Sequence, residues 1–395
     1  MKLLFCYLAE KIVVDEKKRL YTSGNFTPEV WNRYLALTDD LHVLMTILPR
    51  GSKSDDLQKS HQLVDKQKIK IHPVPYNAGS LKDYFSPALN RERENIIEKA
   101  IRKADAVIIR SPEKLLVDLC RKHDKPYVVE VVGCVRDALW NHSLKGKILA
   151  PFMFFEVKKI IKESTYVLYV TNQFLQKRYP TNGHMLACSD VSIDYVEEGI
   201  LKERIKRIEE TDKKRKIIIG TAAALHVKYK GQKYVIKALA ELKKNGMKNF
   251  EYQLVGGGDP SLLLREVKKY GLEDQVKIIG QLNHDKVFEW LQTIDIYIQP
   301  SLLEGMPRSV IEAMSYGVPC LGAEVGGIPE LLNKEMLFKK KNYKQIAEIL
   351  KSLTRNTMKS EAKRNYTFAK QYEYEKLKKS RQLFYESFIL NEVNK

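Results

Sequence analysis

Asp295 to Leu332 reads D-I-Y-I-Q-P-S-L-L-E-G-M-P-R-S-V-I-E-A-M-S-Y-G-V-P-C-L-G-A-E-V-G-G-I-P-E-L-L. Ile294 to Gln299 is a short apolar run, rich in β-branched residues, that stops at Pro300-Ser301. That is the pattern of a buried parallel strand running into a loop. Pro307 suits a first helical position, Val310, Ile311 and Met314 form an apolar stripe, and Gly317 falls where a left-handed cap belongs. Val318 to Gly322 predicts a second short strand, and Gly326-Gly327 opens another helix at Pro329. Strand, loop and helix recurring with minimal connections predict a doubly wound α/β sheet.

Two carboxylates give the stretch chemistry. Glu304 lies in the loop beyond a strand's C-terminal end, where open α/β sheets bind ligands. Glu312 lies a turn and a half into the helix, on the polar stripe it shares with Arg308 and Ser309. The amides of residues 305–309 carry the positive end of the helix dipole, which suits a diphosphate flanked by two acids that hold sugar hydroxyls. In isolation Arg308 and Glu312 would be an ordinary i,i+4 surface pair. The whole phrase P-S-x-x-E-G-M-P-x-x-x-x-E-A-M-x-x-G-x-P, however, resembles the donor-site signature of retaining glycosyltransferase family 4, including bacterial capsular, exopolysaccharide and lipopolysaccharide enzymes.

That resemblance implies a GT-B fold, two Rossmann-like parallel-sheet domains facing across a cleft, with a C-terminal helix returning to the first. It also implies roles for residues that match the motif. Glu304, with the amides of Gly305 and Met306, would hold the donor sugar, and Glu312 the ribose hydroxyls. Lys230, in the Lys-Gly step before a helix, would meet the diphosphate, and Gly280 and Gln281 would contact the base through their backbone. Where the family usually has an arginine five residues before that lysine, Leu225 stands here, with His226 and Lys228 as substitutes.

A chain of 395 residues suits two domains, and 44% apolar with 30% charged residues marks it as globular. No apolar run approaches a membrane span, and Leu3 to Leu8, followed by Glu10, reads as a first strand rather than a leader. Five scattered cysteines without C-x-x-C point to a reduced cytoplasmic protein with no zinc site. The net charge is +19, yet residues 1–200 carry 31 basic against 25 acidic side chains, so most of the excess lies later. Residues 339–381 hold 14 basic and 4 acidic side chains. Nucleic acid, an anionic membrane or an acidic polymer could each answer such a tract, but no aromatic interleaving supports nucleic acid.

The N-terminal half alternates strands (Lys2–Leu8, Leu41–Leu48, Ala104–Arg110, Pro126–Val132, Tyr166–Val170) with helices, the first capped by Thr27-Pro28. Acceptor-side candidates stand at strand ends: Gly24-Asn25, Glu130 with Arg136, and His142. Each has a plainer reading, as a turn, an internal ion pair and a capping histidine. Family members often carry a histidine where Arg110 stands, so the acceptor chemistry does not transfer. Leu144 to Glu163 alternates Ile, Leu and Phe with lysines, which fits either the helix closing this domain or an amphipathic helix on an anionic membrane.

Glu203 to Lys214 is almost wholly charged, and a new strand starts at Ile217. The expected division is an acceptor-side domain over 1–195, a donor domain over 196–375 and a returning helix over 376–395. The expected activity is transfer of a sugar from a nucleoside diphosphate sugar (UDP or GDP type) to a hydroxyl acceptor with retention, without metal or other cofactor, in surface polysaccharide or glycolipid assembly. The expected acceptors include a lipid-linked saccharide met at the cytoplasmic membrane face. A sugar-nucleotide 2-epimerase and a non-catalytic nucleotide-sugar binding protein are the alternatives.

Overall fold

A computed structural model describes residues 1–23, 26–48, 61–65, 67–76, 86–142, 144–210 and 215–394, with the backbone alone described at 141, 142, 144 and 145. Its first sheet contains β1 (Lys2–Val14), β2 (Leu20–Ser23), β3 (Asp40–Ile47), β4 (His61–Leu63), β5 (Ile69–Pro75), β6 (Ala106–Arg110), β7 (Tyr127–Val131), β8 (Tyr166–Tyr169) and β9 (His184–Ala187). The parallel core runs β5-β3-β1-β6-β7-β8-β9, and its central strands are continuous apolar runs because helices cover both faces.

Two strand expectations are corrected. The first strand does not stop at Leu8 but runs to Val14, past a register shift between Tyr7 and Lys11, and its extension pairs antiparallel with β2. The polar pair Glu10-Lys11 masks this in the sequence, although Ile12 just beyond it is fully buried in the first domain's core. Tyr166–Tyr169 is not the last strand either, since β9 follows it with mostly exposed side chains.

The second sheet has six parallel strands: β10 (Ile217–Ala222), β11 (Phe250–Val255), β12 (Val276–Gly280), β13 (Ile296–Gln299), β14 (Cys320–Ala323) and β15 (Leu337–Phe338). Their order, β12-β11-β10-β13-β14-β15, reverses direction between β10 and β13, so the crevice opens beyond those two C-terminal ends. Helix Arg308–Ser315 begins one residue later than expected, with Pro307 as its N-cap, and Gly317 terminates it at φ 61°. Helix His284–Thr293 is capped by Asn283, whose Oδ1 accepts the Lys286 amide at 3.0 Å.

The halves are joined by two adjacent crossings. The first, near Ile193, lies beside the second at Glu373 as an isolated parallel bridge. Helix Tyr374–Phe388 then returns to the first domain, where Tyr385 and Phe388 enter the core of Leu3, Phe5 and Tyr166. Across the cleft, Glu330 accepts the backbone N–H groups of Asn172 (2.6 Å), Gln173 (3.0 Å) and Phe174. A carboxylate from one domain therefore satisfies the orphan amides at a helix start of the other. The domains also meet where a Cβ on Gly305 would lie 3.4 Å from the Val132 carbonyl oxygen.

Candidate active site

Glycine holds the loops at the second sheet's switch point together. Gly231 lies at φ 78°, and a Cβ there would come within 2.0 Å of the Pro300 carbonyl, so only glycine lets the loop after β10 reach the loop after β13. Tyr229 accepts the Leu302 amide at 2.7 Å across that contact. Gly326, at φ 57°, lies equally close to the Glu304 carbonyl, and the Gly327 amide donates to Gly305 at 2.7 Å. The loop carrying Glu304 is thereby clamped on both sides.

Glu304 is the centre of a small polar cluster. Its Oε1 accepts from Lys230 Nζ at 2.8 Å, Ser301 Oγ at 2.7 Å and Gln299 Nε2 at 3.0 Å. Gln299 and Ser301 are fully buried and orient the carboxylate, while Tyr297 Oη and Ser309 Oγ donate to Gln299 Oε1 at 2.8 and 3.2 Å. The sequence reading missed the supporting role of Gln299, although its polar side chain in an apolar strand was the available signal. Lys230 and Glu304 are 74 residues apart, and their ion pair has no local signature.

Glu312 is different. Only 8% exposed overall, its carboxylate accepts from no protein group among the described residues, and the charges acting on it are Arg308 and His284. Burial pushes its carboxyl above the ordinary range, and those two cations pull only partly the other way. Its oxygens are not among the fully enclosed atoms that lack a partner, so the carboxylate sits in a largely buried helix position with its oxygens still open to the crevice. Arg308 itself is exposed and reaches the Ser192 carbonyl at 3.5 Å, a weak contact. Gly280, at φ 85°, has open space above it, and the Gln281 side chain lies over Gly257. Met306 packs against Gly327, and the buried Leu225 belongs to the core, leaving His226 beside Gly258 at the crevice wall.

The acceptor-side expectations divide. Gly24 and Asn25 lie outside the described residues, and of His142 only the helical backbone is described. Glu130 is not an open cleft acid paired with Arg136. It is 1% exposed and accepts from Tyr34 Oη (3.0 and 3.1 Å), Tyr385 Oη and Arg110 (2.8 Å). Arg110 also bonds Asp190, which Arg33 holds at 3.1 Å; although burial alone would raise the Asp190 carboxyl, these arginines and Arg381 hold it below its usual range. This network ties the first sheet to the crossing and to the returning helix. Arg136 stacks over the Phe154 ring at 6.0 Å instead. Two groups on this wall escaped the sequence reading: Tyr7, whose ring lies 5.6 Å from the Arg110 guanidinium, and Glu113, whose carboxyl burial pushes up to about 7 against the pull of Arg93.

Two Rossmann-type halves facing across a cleft, with the Glu304–Lys230 cluster and Glu312 at the second sheet's switch point, are the architecture of the GT-B fold. A family model described as glycosyl transferases group 1 matches residues 202–371. Protein CapJ of Staphylococcus aureus is 33% identical over 364 residues, covering 89% of this chain and 85% of that protein. The chain belongs to the group 1 glycosyltransferases. The amylovoran biosynthesis glycosyltransferase AmsK of Erwinia amylovora is 37% identical over 110 residues, 26% of this chain and 27% of that protein. Among solved structures, Anabaena HepE in complex with UDP and glucose superposes with a TM-score of 0.62 at 17% identity, covering 98% of this chain and 99% of HepE. WaaG, a lipopolysaccharide-biosynthesis glycosyltransferase, superposes with a TM-score of 0.59 at 13% identity, over 97% and 99% of the two chains. Likeness at those identities shows the fold alone.

Proposed function

We propose that this chain transfers a sugar from a uridine or guanosine diphosphate sugar to a hydroxyl acceptor, with retention and without a metal, in assembly of a surface polysaccharide or glycolipid. The observation that carries the reading is Glu312, largely buried, its carboxylate without a protein donor among the described residues and under the influence of Arg308 and His284, which start two neighbouring helices. Ribose hydroxyls supply the donors it lacks. The E-x7-E spacing to Glu304, as in family 4, then sets the donor sugar against Glu304 and the amides of Gly305 and Met306. Lys230, now on Glu304, turns toward the diphosphate, aided by the helix start at Arg308. The bond from C1 to the phosphate oxygen breaks while the acceptor oxygen attacks C1 on the same face. The acceptor proton passes to the departing phosphate oxygen, and the electron pair of the broken bond stays with the diphosphate. Protein groups contribute position and charge stabilisation. Support for a role in polysaccharide assembly comes from AmsK, named for amylovoran biosynthesis, and support for a UDP-type donor from the HepE complex with UDP and glucose.

A thermal-shift panel of UDP, GDP, ADP and CDP tests the donor. Ligand at 100 times its dissociation constant stabilises by about 2.7 kcal/mol, and no shift with any of the four contradicts the reading. An epimerase would instead convert the sugar nucleotide with no acceptor present. Lys230→Ala is expected to weaken nucleoside diphosphate binding about 10- to 100-fold, the size of a charge-assisted contact, and nucleoside binding far less. Equal losses, measured by calorimetry, would assign Lys230 a structural role through Glu304.

Glu312→Gln is expected to weaken nucleoside diphosphate binding by about 1.5–3 kcal/mol, the range for hydrogen bonds to a charged group. Without ligand the same variant should be more stable than the parent at pH 7. The Glu312 carboxyl is raised in the folded chain, so ionisation favours the unfolded state as pH climbs above about 4.3. The advantage of glutamine should shrink below that pH. Melting curves at pH 4 and pH 7, with and without UDP, read both effects, and a destabilised ligand-free variant at pH 7 would contradict the assignment.

A further inference from the structure

The two domains are joined by side-by-side crossings near Ile193 and Glu373, and such a joint leaves relative motion as the default. Across the cleft, one short segment of the second domain restrains that motion. Gly326 and Gly327 lie against the loop of Glu304 and Gly305, the Gly327 amide donating to the Gly305 carbonyl at 2.7 Å. Glu330 follows in the short helix Ile328–Leu331, whose ends, Ile328 and Leu331, are fully buried in the second domain's core. From that rigid base its carboxylate accepts the amides of Asn172 at 2.6 Å, Gln173 at 3.0 Å and Phe174. Gln173, at the cap position of helix Phe174–Arg178, makes no side-chain cap bond of its own.

The far end of that helix continues the connection. Arg178 pairs with Asp137 at 2.8 Å, donates to Cys134 Sγ at 3.0 Å and lies over the Phe174 ring at 4.5 Å. Cys134 and Asp137 flank the turn from β7 into helix Val135–His142, beside Arg136. Val132, where that turn begins, puts its carbonyl oxygen 3.4 Å from the place of a Cβ on Gly305. The turn after β7 is therefore tied to the loop of Glu304 twice, directly at Val132 and through Glu330 and Arg178.

We propose that Glu330 is a positioning residue, which fixes the turn after β7 over the loop of Glu304 and so sets how the cleft closes on its substrates. A carboxylate that binds three amides makes charge-assisted hydrogen bonds, roughly twice as strong as neutral ones. Asn172 and Gln173 are exposed and Glu330 is half-buried, so water replaces the contact when the domains part, and the hold is reversible. Because Gly327 and Glu330 share one segment, a ligand that settles the loop of Glu304 also strengthens the hold on the first domain. That coupling rests on the donor reading, whereas the hold itself does not.

The test compares the full chain with Glu330→Ala, using UDP as the probe. Without nucleotide, the amides of residues 172–174 are expected to exchange hydrogen at least about tenfold faster in the variant, their charged acceptor being lost. Small-angle X-ray scattering should give the variant a larger radius of gyration than the parent. Glu330→Gln, which keeps an accepting oxygen without the charge, should lie between the two in both measurements. UDP should slow exchange at 172–174 in the parent. The factor of that slowing should match the factor by which Glu330→Ala raises the UDP dissociation constant in calorimetry, because coupling is reciprocal. A purely structural cap predicts no such match. The proposal is overturned if residues 172–174 exchange alike in parent and variant, if their scattering curves superpose, or if UDP binds the parent without slowing exchange there. A parent that binds no UDP would count against the donor reading, and the nucleotide-free exchange and scattering would still decide the hold.

Discussion

Glu304→Ala is expected to lower turnover about 10²- to 10³-fold, the cost of removing one preorganised polar group from a site of charge development. Three neighbours converge on its Oε1, and two of them, Gln299 and Ser301, are fully buried. The carboxylate is therefore held before any substrate arrives, and its loss releases Lys230 as well. Nucleoside diphosphate affinity should change far less than turnover, because the acid addresses the sugar rather than the base or ribose. Single-turnover rates at saturating donor, beside calorimetric binding of UDP, separate the two. Parental turnover would remove Glu304 from the active site.

The second large effect concerns stability. Glu130→Ala should destabilise the first domain by about 3–5 kcal/mol, because it leaves Arg110 and the Tyr34 and Tyr385 hydroxyls without their buried acceptor. Asp190 still pairs with Arg110 and places the expected loss toward the lower end. The change in urea midpoint measures it. An acceptor-binding role predicts the opposite pattern, an unaltered midpoint with a raised KM for acceptor.

What could be read from residue order follows from range. The strand-loop-helix from Ile296 to Ser315 is specified by local signals: a β-branched run, a proline at the helix entry and a glycine at its end. Glu304 and Glu312 stood out in the sequence through the length of the matched phrase, whereas Lys230 rested on a Lys-Gly step before a helix, and its ion pair with Glu304 was not foreseen. Glu130 was not, because its partners are 96 and 255 residues away and one belongs to the returning helix. The Leu144–Glu163 helix was ambiguous for a different reason. Apolar residues surround much of its circumference, and only the packed structure decides which of them face the sheet. The β1 extension failed on polarity, since Glu10 donates no apolar surface but accepts the Ser23 amide at 2.9 Å, which the pattern of hydrophobicity cannot encode.

The central claim is that Glu312, largely buried and with no protein donor to its carboxylate among the described residues, marks the nucleotide site. A crystal structure of the chain with UDP, or with whichever nucleoside diphosphate shifts its melting point, tests this most directly. The account predicts ribose hydroxyls within hydrogen-bond distance of the Glu312 carboxylate, about 2.6–3.2 Å, and the diphosphate near Lys230 and the helix start at Arg308. A nucleotide bound elsewhere, with Glu312 still without a donor, would contradict it.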